Sequence, residues 1–143
     1  MECLVFSTLK KKPNSISFDV IRTVAHYVLR REQRPGLLSV HLIADTKMKR
    51  LQREHRGKTG TTDVLSFAAQ EGDWQGDTHD LGDIFLSVPQ IERQAKTWSV
   101  SFREECIRLL IHGILHILGY DHIAPGEAKI MFSKQENYLK KWV

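Results

Sequence analysis

Apolar residues recur along this chain at two periods, and the switches between them mark out the elements. Cys3 to Leu9 reads as a strand, stopped by Lys10-Lys11-Lys12-Pro13. Ile16, Val20, Ile21, Val24, Val28 and Leu29 then recur at helical spacing, with Asn14, Ser15 or Ser17 available as N-cap, until Pro35-Gly36 ends the helix. Leu37 to Ala44 alternates and is β-branched enough for a second strand. Asp45 is placed to cap a short basic helix reaching about His55. Gly57 and Gly60 break it, and Thr62 to Ala68 reads as a third strand. Gln70 to Asp80, with Gly72 and Gly76, reads as a loop. Leu81 to Val88 is a fourth strand in which Ile84, Leu86 and Val88 share a face.

Pro89 suits the first turn of a helix ending near Trp98. Ser101 and Glu104 stand at capping-box spacing and open a long helix from Phe102 to about Leu118. Pro125-Gly126 precede a last helix toward Trp142. The pattern predicts one α+β domain over residues 1–143 with about four strands and five helices. Which strands pair does not follow from it.

A chain of 143 residues with 41% hydrophobic and 27% charged residues has ordinary globular composition. It holds no apolar run of the roughly 20 residues that cross a bilayer. Its start lacks the basic and long apolar regions of a secretory signal, and Cys3 and Cys106 are too few for a stapled secreted scaffold. The expectation is a cytoplasmic protein without a membrane partner. The net charge of +4 is mild, but its distribution is uneven. Lys47, Lys49, Arg50, Arg53, Arg56 and Lys58 crowd one segment beside the single acid Glu54, whereas Glu71 to Asp83 is acidic. Each segment alone reads as a solvated face; the sharper reading of the first is a phosphate-holding surface.

The helix that runs from Ile107 to Leu118 is apolar nearly all round, so it should be buried, yet it carries His112 and His116. Four residues apart, they stack on one face. Gly119 can turn the chain back at the helix end, bringing round His122. Three imidazoles at this spacing predict one zinc ion per chain, held by His112, His116 and His122. Cys106 is poorly placed to add a fourth ligand, and Cys3 stays open at this point. Three protein ligands with one free position is the pattern of a catalytic site. The spacing matches H-E-x-x-H-x-x-G-x-x-H of metzincin proteases, except that Gly113 stands where their general base would be. Loss of that carboxylate weakens a peptidase reading and favours an anionic substrate such as a phosphodiester.

His112-Gly-Ile-Leu-His-Ile-Leu-Gly-Tyr-Asp-His122, Thr62-Asp-Val-Leu-Ser-Phe67 and Leu81-Gly-Asp-Ile84, in that spacing, resemble the YbeY family of zinc-dependent endoribonucleases. The resemblance implies a zincin-like metal-binding helix and cleavage of single-stranded RNA. It further implies 16S rRNA 3′-end maturation and ribosome quality control, with the ribosome or small-subunit precursors as partners and no DNA. Arg56 matches the family's functional arginine. Arg56 and His112 are then the expected catalytic residues, with Arg53, Arg56 and Lys58 binding substrate phosphates. Asp63, Ser66, Asp83 and Asp121 are either supports for the ligands or strand-edge and turn residues. Trp74, His79 and Trp98 are aromatic side chains of a kind that stacks on bases, though ordinary packing accounts for them too. Two alternatives stay open: a metal-dependent hydrolase of peptides or small esters, and a non-catalytic ribosome-assembly factor with structural zinc.

Overall fold

Alternation along the strands assigns their faces, and the computed structural model of the chain, which describes residues 2–11, 16–69 and 79–143, bears this out. In chain order it contains β1 (Glu2–Ser7), α1 (Phe18–Arg31), β2 (Leu37–Ile43), α2 (Asp45–Arg56), β3 (Val64–Ala68), β4 (Asp80–Ser87), α3 (Val88–Trp98), α4 (Phe102–Ile117) and α5 (Pro125–Leu139). The expected four strands and five helices are all present. Asn14, Ser15, Trp74 and most of the acidic loop lie outside the described residues.

The strands form one sheet in the order β1-β2-β4-β3. β1 and β2 pair in parallel, as do β2 and β4, while β3 runs antiparallel to β4 at the sheet edge. Val5, Val40 and Ile84 stand in register on one face, where they join the main core with α1, α4 and α5. The other face carries Ile43, Leu65, Phe67 and Phe85, and there Met48 and Leu51 of α2 cover them as a second, smaller core. The sheet is therefore covered by helices on both sides at its β3 end, with the chain's basic helix on one side and its histidine helix on the other.

Side-chain capping accounts for two of the five helix starts, and a proline in the first turn for two more. Ser17 Oγ accepts from the Val20 N–H at 3.2 Å and Ser101 Oγ from the Glu104 N–H at 3.0 Å, as their side chains predict. The expected cap at Asp45 is corrected: Ala44 occupies the N-cap of α2, and no side chain caps it. Asp45 lies one residue inside, where its carboxylate accepts from Ser87 Oγ at 2.9 Å and pairs with Arg93 at 2.8 Å. Burial pushes its carboxyl up, but Arg93, Ser87 and Thr61 outweigh that and hold it below the usual carboxylate range. An acid that could cap its own helix instead ties that helix to β4 and α3.

Candidate active site

α4 is buried through most of its length, including Ile107, Leu110, Ile111, Ile114 and Leu115. It packs against β3, β4, α1, α3 and α5. At Gly113 it comes so close to the sheet that an added Cβ would stand 3.0 Å from Ser66 Oγ and 3.1 Å from Ile84 Cγ2. A glutamate there would have to enter the sheet, so the absent general base follows from how this helix packs.

The helix ends in a Schellman arrangement. The Tyr120 N–H donates to the Leu115 carbonyl and the Gly119 N–H to that of His116, both at 3.1 Å. Gly119 has φ +105°, a backbone that side-chain-bearing residues rarely adopt. The turn folds the following residues back over the helix. His122 comes to lie 5.5 Å from His112 and 5.8 Å from His116 between ring centroids, so the three imidazoles form one cluster. Tyr120, within the same turn, donates to Glu32 at 2.6 Å. Lys134 pairs with the same carboxylate at 3.0 Å, and the Tyr138 hydroxyl also donates to it. Glu32 thus fastens the turn that delivers His122 to both α1 and α5.

The donor set suits a metal. Three rings sharing one tetrahedral zinc at Zn–N distances of about 2.0–2.1 Å would have centroids about 5 Å apart, close to the spacings here. Among the described residues no group of three or more His, Cys, Asp or Glu stands close enough, as placed, to hold a metal ion. Gln135 Oε1 lies 2.9 Å from His112 Nδ1, which assigns the proton to Nδ1 and leaves the Nε2 lone pair for a ligand. Burial pushes the His112 imidazole below its usual range, against the hydrogen bond to Gln135, and favours the neutral form that ligation needs. His116 Nδ1 is buried without a hydrogen-bond partner, against a usual cost of about 1–3 kcal/mol. Packing alone gives no reason to keep a histidine there.

The cysteines stand apart. Burial pushes the Cys3 thiol up to about 11 and the Cys106 thiol to about 12, and both belong to the main core. Neither lines the cavity beside the histidines, which settles the question left open for Cys3.

That cavity, of about 510 Å³, is lined by Gln52, Arg56, Lys58, residues 62–66, His112, His116, His122 and Ile123. Arg56 is the last residue of α2, which Gly57 closes in a left-handed conformation at φ +64°. Its guanidinium donates from Nη2 to the Ser66 carbonyl at 2.9 Å and lies 4.8 Å from the Phe67 ring centroid. The arginine is thereby aimed along the β3 edge toward the histidines. Lys58 follows it into the lining. Arg53 does not: Gln52 and Arg56, one turn apart, face the cavity, while Arg53 is rotated by about 100° from Gln52 and is exposed to solvent.

Asp63 lies in the lining, its Oδ2 accepting from Gln94 Nε2 at 3.0 Å. Of the other acids named from sequence, Asp83 pairs with His41 at 2.8 Å and Asp121 accepts from the Ile123 N–H at 2.9 Å. Neither lines the cavity, and nor does Trp98, which is exposed at the end of α3. Sequence reasoning missed Gln52 and Gln135. Gln135 had a signal: it interrupts the buried stripe Met131–Gln135–Leu139, where an amide needs a polar partner.

Comparison with known proteins gives a consistent result. The family model described as Endoribonuclease YbeY matches residues 8–143. Proteins named Endoribonuclease YbeY from Halalkalibacterium halodurans and Shouchella clausii are similar to this chain. The first is 36% identical over 92% of this chain and 87% of its own length; the second is 41% identical over 87% and 82%. One from Persephonella marina is 46% identical over 72% of this chain and 68% of its own. The solution structure of TM1509 from Thermotoga maritima superposes with a TM-score of 0.68 at 27% identity, covering 96% of this chain and 87% of that one.

Proposed function

Since the chain belongs to the YbeY endoribonuclease family, we propose that its histidine cluster is the metal centre of a single-strand-specific endoribonuclease acting in rRNA processing. The observation that carries this reading is the convergence of His112, His116 and His122 with Arg56 and Lys58 on one cavity. His112, His116 and His122 would hold one zinc ion per chain. When bound, such an ion supplies Lewis-acid polarisation and brings the pKa of water toward about 7.

The remaining roles fall to the chain itself. Gln135 keeps the His112 proton on Nδ1 and its ring orientation fixed. Arg56, with one nitrogen on the Ser66 carbonyl, has its other guanidinium donors available for two phosphate oxygens and for the charge that builds on phosphorus. Lys58 adds a point charge for a neighbouring phosphate. Arg53, outside the lining, contributes only to the field that draws RNA in. Asp63 is the carboxylate of the lining, held by Gln94 and facing the reaction space, so a proton acceptor stands there although Gly113 supplies none. The ribosome or small-subunit precursors in the cytoplasm are the setting that this function requires.

The test compares wild type, Arg56→Ala and His116→Ala on single-stranded RNA, duplex RNA, single-stranded DNA, a peptide and an ester, before and after chelation. Metal-dependent cleavage confined to single-stranded RNA, lost in both variants, is expected. Equal cleavage by wild type and His116→Ala, or hydrolysis of the peptide or ester with RNA left intact, overturns the reading.

A further inference from the structure

A second cavity, of about 360 Å³, opens on the other side of the histidine cluster, lined by Ala128, Lys129, Met131, Phe132 and Gln135 together with His112 and His122. It shares two of the three imidazoles with the polar cavity, so the two are lobes of one site. Their chemistry differs sharply. The first lobe presents Arg56 and Lys58, groups that hold phosphates, whereas the second is walled by methyl, thioether and phenyl groups.

Phe132 is the unexplained residue. The side of α5 that packs into the core carries Met131, Gln135 and Leu139, and Phe132 takes no part in it, remaining 63% exposed. Ile123, 82% exposed, stands on the rim of the polar lobe. Apolar side chains exposed around a charged site mark a surface kept for a ligand with an apolar face. Elsewhere on the fold, the rings of Phe6, His41 and Phe85 stack on one another, at 5.1 and 4.3 Å between centroids, and line neither lobe.

We propose that the lobe formed by Ala128, Met131 and Phe132 is a base subsite, which takes the nucleobase next to the phosphate bound by Arg56 and stacks it on the Phe132 ring. This rests on the ribonuclease reading of the same site. A chain of alternating phosphates and bases, laid across the histidines, places charge in one lobe and an aromatic plane in the other. The volume lies at the low end of the roughly 300–1,000 Å³ of small-molecule sites, which suits one base rather than a stacked pair. Gln135 has its amide committed to His112 and Glu136, and Lys129 in the same lining is a single flexible ammonium, so the lobe offers little to read a base edge. Stacking without edge readout accepts any base, provided that it is free of a duplex partner.

The test uses the full chain with metal bound. Single-stranded 2′-O-methyl oligoribonucleotides, checked as intact afterwards, are titrated by fluorescence anisotropy, with and without one abasic position stepped along the strand. Phe132→Ala should weaken binding by about 5- to 150-fold, the range for one base–aromatic stack, and Phe132→Trp should restore it. At one position the abasic strand should bind wild type as weakly as Phe132→Ala binds the intact strand, with no further loss on combining the two. Metal content and melting temperature should match wild type. Unchanged affinity in Phe132→Ala, as expected if the lobe takes a side chain of a protein partner instead, overturns the subsite; so does a fully additive combination. Cleavage of unmodified RNA is followed in parallel. Wild type that binds in this Phe132-dependent way but cuts nothing refutes the ribonuclease reading and leaves the subsite standing.

Discussion

Replacing Gln135 with leucine removes the acceptor behind one proposed ligand, together with a donor to Glu136, and changes little else in shape. Gln135 is 6% exposed, and its Oε1 meets His112 Nδ1 at 2.9 Å. Without it, the His112 N–H has no partner at that depth, a penalty of about 1–3 kcal/mol for a buried donor. In the metal-free protein the ring can escape much of this by rotating toward the cavity it lines. The fall in stability should stay near 1 kcal/mol, about 3 °C in melting temperature for a chain of this size. Metal binding forbids that escape, because the ring must present Nε2. Loss of such an outer partner lowers metal affinity by about 10- to 100-fold. Competition with a chelator of known affinity measures it, while melting of the metal-free protein reports the fold separately. Gln135→Glu keeps an acceptor at the same reach but sets its second oxygen against Glu136, which the Gln135 amide contacts at 3.2 Å, and should recover most of the lost affinity. Wild-type affinity in Gln135→Leu, or an equal loss in Gln135→Glu, would refute the reasoning.

Further outcomes follow from other contacts. Burial raises the Glu32 carboxyl, but Tyr120, Tyr138 and Lys134 together hold it below the usual range. Its contribution is therefore present above the unfolded pKa and lost as pH falls through the folded one. Urea midpoints of wild type should drop between about pH 5 and pH 3, and Glu32→Gln should be less stable at pH 7 with a flatter profile there. Gly113→Ala gains about 1 kcal/mol of helix propensity but meets Ser66 and Ile84, where overpacking costs about 1–3 kcal/mol. Urea denaturation should show a net loss, and a clear gain would mean that α4 is free to move off the sheet. Arg56→Ala should lower kcat/KM on RNA by about 10²–10³-fold, with Arg56→Lys recovering little because one ammonium cannot hold Ser66 and fork a phosphate. Arg53→Ala, outside the lining, should cost less than about 3-fold in the same assay at physiological salt.

Much of the architecture was readable because it is local. Ser17 and Ser101 cap their helices through hydrogen bonds within three residues, and the alternation of Val40, Leu42, Ile84 and Leu86 assigns their face whatever strand lies beside them. The strand order 1-2-4-3 was not readable, since it depends on which nonlocal edges the helices leave free. Asp45 misled for a related reason: Ser87 and Arg93, 42 and 48 residues away, compete for its carboxylate more effectively than its own helix does. At the site, the spacing of His112, His116 and Gly119 carried the cluster because one helix and one turn generate it. From sequence alone Asp63 is only a support or an edge residue, and Gln135 carries no role. Each becomes a site residue only when β3 and α5 come to lie along α4, a matter of tertiary packing.

Metal stoichiometry with anomalous diffraction tests the central claim most directly. Wild type should contain one divalent ion per chain, with anomalous density within about 2.0–2.1 Å of nitrogen atoms of His112, His116 and His122 and no fourth protein ligand. His116→Ala should retain its fold and lose most of the metal. A metal-free wild type, or an ion whose ligands include other side chains in place of these three, would contradict the account.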